Sequence, residues 1–216
     1  MSNYNSRHLR LAAETLSTDL NGLSQLEVIF NVYSNRLNFS DVNYVNKVLP
    51  RCLQILKGNL GSFYEAHGSS VYGYEKCGNR DEWVKYKWNA MLEKDLVYIT
   101  VSDRDNSEEI CGFISFALSD SLSSEPEHRP ALTRSTKPCL FLYEIHLEKS
   151  WQSRGLGSLI FSKILEPLAS EMNSPSLELC VFTSNQIALD WYRNMGFKTS
   201  ITFSKDLIGM SKIIAG

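Results

Sequence analysis

One stretch of the chain constrains the fold more than any other. Leu140 to Leu147 is an apolar strand, Gln152-Ser153-Arg154-Gly155-Leu156-Gly157 is a glycine-containing turn, and an amphipathic helix runs from about Leu156 to Met172. The helix start offers unpaired backbone N–H groups, and its dipole favours negative charge, so such a turn suits phosphate oxygens. Gly155 and Gly157 lack a Cβ, which lets the backbone approach an anion closely. Arg154 can add a charge-assisted contact. The segment is not a Walker loop, since Gly-Lys-Ser/Thr is missing, and it lacks the spacing of a dinucleotide fingerprint. Taken alone, it also fits an ordinary strand-to-helix turn.

The rest of the chain surrounds this unit with alternating elements. Ser6 to Leu20 carries Leu9, Ala12, Ala13, Leu16 and Leu20 at helical spacing, and residues 1–27 read as a helical arm packed on a domain of residues 28–216. Val28 to Phe39 reads as a strand. Asp41 is placed to cap a helix that Pro50 should kink and that runs on toward Tyr64. His67 to Gly78, rich in Gly, Ser and Tyr, reads as a loop. Leu96 to Ser102 and Ile110 to Leu118 form a hairpin, followed by a long polar loop from Ser119 to Pro138. After the central helix come a strand at Leu177 to Phe182, a helix at Ile187 to Asn194, and closing strands at Phe197 to Phe203 and Leu207 to Ile214. Antiparallel strands followed by strand–helix alternation imply an α/β (α+β) fold, a mixed sheet with helices on both faces.

A second motif removes the ambiguity of the first. In Val181-Phe182-Thr183-Ser184-Asn185-Gln186-Ile187-Ala188-Leu189-Asp190-Trp191-Tyr192-Arg193-Asn194-Met195-Gly196-Phe197, Asn185 ends a strand and can cap a helix, Ala188 permits close packing, and Gly196 stops the helix. Each feature has a bland reading, Tyr192 as a core aromatic and Gly196 as an ordinary stop. In this order, after the glycine turn, they resemble the two halves of the acetyl-coenzyme A site of the GNAT acetyltransferases. The resemblance spans roughly Val28 to Ile214 and implies a mostly antiparallel sheet whose central strand splays from its neighbour. It implies that Ile145, His146 and Leu147 offer backbone to the pantetheine arm, as an added strand would. It implies a pyrophosphate cradle at Ser153, Arg154, Gly155, Leu156, Gly157 and Ser158, and a cofactor contact at Asn185.

Within that superfamily, Leu140-Phe141-Leu142-Tyr143-Glu144-Ile145-His146-Leu147-Glu148 resembles the corresponding strand of the NatD N-terminal acetyltransferases of histones H-four and H-two-A. Asn59-Leu60-Gly61-Ser62-Phe63-Tyr64-Glu65, Leu179-Cys180-Val181-Phe182 with Asn185, and the helical arm agree. The resemblance implies Glu144 as the catalytic carboxylate, and Tyr64, Tyr143 and Cys180 at the substrate, Cys180 standing where a Thr is usual. It implies a free histone tail beginning Ser-Gly-Arg-Gly as substrate, and a monomer without an auxiliary subunit. An aromatic partner for the tail would come from Tyr72, Tyr74 or Trp83, and acidic partners for its Arg from Asp120 with Glu125 or Glu127. No tyrosine matches near Met210 to Lys212. The chemistry agrees with the role of Glu144: an α-amine titrates near about 8 and must lose a proton before or during attack. Desolvation in an apolar strand would raise the Glu144 pKa. The alternative for Glu144 is a salt bridge at a strand end. His146 shares its strand parity and is a second candidate base.

Composition narrows the remaining choices. With 216 residues, 43% hydrophobic and 21% charged, the chain can bury a core without disulfide or metal staples. The five cysteines lack CxxC spacing and the four histidines are scattered, so reduced thiols, no metal, and a nuclear and cytoplasmic location are expected. A net charge of -2 does not indicate nucleic acid. No apolar run of about 18 residues suggests a membrane span, and Met1 to Arg10 lacks the apolar core of a secretory signal. Two other functions fit the same motifs: acetylation of a small amine or lysine side chain, and a non-catalytic acetyl-coenzyme A-binding module.

Overall fold

Strands buried along nearly their whole length, with both faces covered, build the centre of the sheet. The computed structural model describes residues 6–73, 82–122 and 138–214. It contains β1 (Val28–Ser34), β2 (Val97–Asp103), β3 (Ile110–Ser119), β4 (Cys139–Leu147), β5 (Ser176–Phe182), β6 (Lys198–Thr202) and β7 (Leu207–Ile213). These pair in the order β1-β2-β3-β4-β5-β7-β6. All neighbours are antiparallel except β4 and β5, whose parallel pairing is confined to Leu140, Leu142 and the residue between them, opposite Leu177 to Leu179. Beyond Leu142 and Leu179 the two strands part. β4 stays on β3 as far as Leu147, and β5 stays on β7 as far as Phe182. The sheet therefore opens as a fork at Tyr143 and Cys180.

A bulge lies at the fork. Ser115 pairs with Glu144 and Phe116 with Leu142, leaving Tyr143 as the extra residue of β4. Simple alternation would put Leu142 and Glu144 on one face. The bulge separates them: Leu142 joins the core shared with Ile114 and Phe116, and Glu144 lies on the opposite face with Phe113 and His146.

Helices cover both faces. On one lie α1 (Ser6–Asn21), α5 (Leu156–Ile160), α6 (Glu166–Glu171) and α7 (Gln186–Asn194), contributing Leu9, Ala13, Ile160, Leu168 and Leu189 to a core with Val28, Ile99 and Ile114. A π-helical turn, Phe161–Leu165, joins α5 to α6. On the other face lie α3 (Leu49–Tyr72) and α4 (Glu82–Met91), with Cys52, Leu56, Tyr64, Trp83 and Met91 packed near Tyr98 and Phe113. The arm helix is fastened as well as packed. Asn21 Nδ2 donates to Phe30 O and Phe30 N–H donates to Asn21 Oδ1, both at 2.7 Å.

Several elements differ from the sequence expectations for local reasons. β1 stops at Ser34, and the short α2 (Asn35–Asn38) replaces the end of the expected strand. The buried Asn35 amide donates to Met91 O at 2.9 Å and Glu93 O at 2.7 Å, and Tyr44 Oη donates to Asn35 Oδ1 at 2.7 Å, which turns the chain inward. Pro50 stands just after a π-helical turn, Tyr44–Val48, that leads directly into α3, so the expected division appears as a change from π- to α-helix while the chain stays helical through it. α3 also runs through the expected loop to Tyr72 and stops at Gly73, which has φ +71°. α4 is not evident from the sequence, because Lys87 interrupts its buried stripe of Trp83, Lys87 and Met91.

Candidate active site

The fork gathers most of the residues singled out from the sequence. Tyr143, on the bulge, is exposed at 42% and sets its ring edge-on against Phe141 with centroids 4.8 Å apart. Burial pushes its hydroxyl pKa up. Glu144 is buried under α4. Its Oε1 receives the Lys87 ammonium and its Oε2 lies 2.6 Å from His146 Nε2. Burial is the largest influence on Glu144 and acts to raise its pKa, but Lys87 and His146 together outweigh it. The carboxyl is held below its ordinary value, contrary to the expectation from desolvation alone. The Lys87 pKa is raised although burial opposes this, which agrees with a mutually stabilising pair.

Tyr64 is buried in an aromatic wall. It stacks on Trp83 at 5.0 Å and on Tyr72 at 5.8 Å, and meets the edge of Phe182 at 5.2 Å. Lys87 Nζ lies 5.8 Å from the Tyr64 ring centroid. The structure thus brings both Tyr72 and Trp83 to Tyr64, while Tyr74, Glu125 and Glu127 lie outside the described residues. Cys180 is half-buried on β5 at the opposite side of the fork, and burial pushes its thiol up to about 11. Met210 is fully buried in the core, so no substrate-lining group stands at that position.

Past the fork, Ile145, His146 and Leu147 keep β3 on one side and, among the described residues, have no strand partner on the other. Leu147 O is already braced, accepting from Gln152 Nε2 at 2.8 Å and from Asn59 Nδ2 at 2.9 Å. Gln152 therefore ties the turn to the strand. Ser153 and Gly155 adopt left-handed backbone, with φ 60° and 79°. Gly155 is the N-cap of α5 and has no side chain to satisfy the N–H groups of the first turn, which include those of Leu156, Gly157 and Ser158. A Cβ on Gly155 would meet nothing, so open space lies in front of the turn. Gly157 is glycine for another reason, since a Cβ there would lie 2.7 Å from the Trp191 ring. These features fit a bound diphosphate at the turn and an extended arm in the fork.

Arg154 is turned toward the arm, 3.3 Å from Glu27, with its guanidinium 4.7 Å from the Trp151 ring centroid. Both partners of this ion pair are well exposed, so it holds the side chain weakly. Asn185 Oδ1 accepts from Ala188 N–H at 3.2 Å and caps α7, as expected. Lys87, Trp83 and Gln152 are the members of this neighbourhood to which the sequence reading gave no role or only a partial one. The four-residue spacing of Trp83, Lys87 and Met91 was the available signal. Among the described residues, no group of three or more His, Cys, Asp or Glu could hold a metal ion, and no helix is long and apolar enough to cross a membrane.

Comparisons with known proteins agree with this geometry. A family model described as Acetyltransferase (GNAT) family matches residues 61–197. N-alpha-acetyltransferase 40 of Saccharomyces cerevisiae is 27% identical over 158 residues, covering 70% of this chain and 52% of that protein. The chain thus spans about half the length of that curated relative. A crystal structure of Arabidopsis thaliana NAA60 in complex with a bisubstrate analogue gives a TM-score of 0.55 at 15% identity, over 87% of this chain and 99% of that one. The PaiA N-acetyltransferase of Thermoplasma acidophilum, in complex with coenzyme A, gives a TM-score of 0.55 at 12% identity over the same shares. At these identities the two structures bear on the fold.

Proposed function

The chain belongs to the GNAT acetyltransferase family, and on that premise we propose that it is an N-alpha-acetyltransferase that moves an acetyl group from acetyl-coenzyme A to the N-terminal serine of histone tails beginning Ser-Gly-Arg-Gly. The observation that carries this reading is the bulge at Tyr143, which sets an ionised, buried Glu144 at the fork of the sheet. Acetyl-coenzyme A lies with its diphosphate on the turn at Ser153 to Ser158 and its arm along Ile145 to Leu147. The α-amine reaches the thioester past Tyr143, Cys180 and the Tyr64 wall. It attacks the carbonyl carbon, the C–N bond forms, the C–S bond breaks, and coenzyme A leaves as the thiolate. Glu144 receives the amine proton directly or through water.

N-terminal acetylation is supported by the likeness to N-alpha-acetyltransferase 40, and the Ser-Gly-Arg-Gly preference by the resemblance of Leu140 to Glu148 and Asn59 to Glu65 to the NatD acetyltransferases. Residues 1–27 serve as an arm on the acetyltransferase unit, and the enzyme works as a monomer. Free Cys52, Cys111, Cys139 and Cys180 suit the reducing nucleus and cytoplasm in which we place it. A panel of acceptors tests the substrate assignment: the Ser-Gly-Arg-Gly peptide, peptides with other N-termini, and a polyamine. Preferential turnover of the first is expected. Equal turnover of unrelated N-termini would remove the histone assignment, and turnover of the polyamine alone would remove the peptide assignment.

A further inference from the structure

Lysine in the middle of a buried helix stripe needs a reason. Lys87 lies between Trp83 and Met91 on the inward face of α4, and its side chain is only 11% exposed. Lysines are seldom buried unless paired. An apolar side chain of similar size in place of a buried charge pair commonly leaves stability equal or higher, so fold stability alone is a weak explanation. The arrangement does something an apolar side chain could not. It fixes both oxygens of Glu144, one on the Lys87 ammonium and the other on His146 Nε2.

We propose that Lys87 is a positioning residue for acetyl transfer, which holds the Glu144 carboxylate ionised and in one orientation through the row Lys87–Glu144–His146. The proposal rests on the reading that Glu144 receives the amine proton. Other titratable groups near the row are Tyr64 and Tyr72 on α3, Tyr86 on α4, Tyr98 on β2, Tyr143 on β4 and Tyr192 on α7. Burial pushes the hydroxyls of Tyr72, Tyr98, Tyr143 and Tyr192 up, so none of these four supplies charge at neutral pH. Among the described residues, the positive charge facing Glu144 from outside its own strand is that of Lys87. Without it His146 alone opposes the effect of burial on Glu144, the carboxyl takes up a proton at higher pH, and a protonated carboxyl cannot accept the amine proton.

The test compares full-length wild type, Lys87→Met and Lys87→Arg. The readouts are the pH profile of kcat with the Ser-Gly-Arg-Gly peptide, the KM for acetyl-coenzyme A, and a carbon-13 NMR titration of the Glu144 carboxyl. That resonance is assigned by its loss in Glu144→Gln, and its titration needs no turnover. Lys87→Met should move the acid limb of kcat and the carboxyl titration upward together by about one unit or more, the scale on which a single opposite charge acts. The KM for acetyl-coenzyme A should hold, and Lys87→Arg should restore most of the profile. If Lys87→Met does not fold, Lys87→Gln, which keeps a hydrogen-bond donor, is read in the same way. An active, folded variant with unshifted limb and unshifted titration overturns the proposal alone. A shifted titration in a protein whose wild type acetylates no peptide overturns the peptide-acetylation reading, and the role of Lys87 in that reaction.

Discussion

Alanine at position 157 would test whether the turn is held by the packing described. Its Cβ would lie 2.7 Å from Cζ2 and 3.3 Å from Cη2 of Trp191. Carbon atoms in good contact are about 3.5–4.0 Å apart, so the ring or the start of α5 must retreat by about 1 Å. The ring has little freedom, because Phe161 meets it edge-on at 5.2 Å and Tyr192 lies at 5.1 Å. Overpacking of this kind costs about 1–3 kcal/mol. Gly155→Ala meets open space but must keep φ near 79°, a left-handed strain of about 1–2 kcal/mol. Two similar losses thus have different causes, and Trp191→Phe separates them. In urea unfolding followed by circular dichroism, the cost of Gly157→Ala should shrink in the Trp191→Phe background, while that of Gly155→Ala should not. Calorimetry should show weaker acetyl-coenzyme A binding by Gly157→Ala, since displacing the start of α5 moves the N–H groups of the turn. Wild-type stability in Gly157→Ala, or an equal cost in both backgrounds, would refute the reasoning.

Other perturbations follow from the same contacts. Glu144→Gln should lower kcat by roughly 100-fold, the scale for loss of a general base, with the defect shrinking at high pH where the amine is already neutral; a normal kcat at neutral pH would move the base elsewhere, with His146 next. Asn185→Ala removes the cap on Ala188 N–H and should cost about 1 kcal/mol in urea unfolding. Glu144 also contributes to stability in a pH-dependent way. Its folded pKa lies below the unfolded value of about 4.3, so its contribution is full above that pH and is lost as pH falls through the folded value. Lys87 has a raised folded pKa, so its contribution is full below the unfolded value of about 10.4 and is lost as pH rises through the folded value. Glu144→Gln/Lys87→Met should remove both dependences, which urea unfolding across pH would show.

The sequence disclosed what is local and hid what is long-range. The strand at Leu140 to Leu147, the glycine turn and the capped helix after Asn185 were legible because period, glycine and cap each leave a mark within a few residues. The bulge at Tyr143 leaves no such mark, since it exists only in the register against Ser115 and Phe116. It carries Glu144 to the face opposite Leu142, and alternation alone would put the two together. Desolvation alone misjudges the pKa of Glu144 for a related reason: its ion-pair partner Lys87 lies far back in the chain, on a helix whose apolar stripe that lysine interrupts. The Gly and Ser after His67 suggested a loop, yet α3 runs through them with Gly68 buried, and Tyr72 at its end stacks on Tyr64 and meets Phe182.

Locating the transferred acetyl group tests the central claim most directly. The protein is incubated with acetyl-coenzyme A and a Ser-Gly-Arg-Gly peptide that also contains lysine, and fragment-ion mass spectrometry assigns the modified nitrogen. The expected result is one acetyl group on the α-amine of the N-terminal serine, unmodified lysines, and no product when that α-amine is blocked beforehand. Acetyl groups on lysine side chains, with turnover surviving the α-amine block, would contradict it.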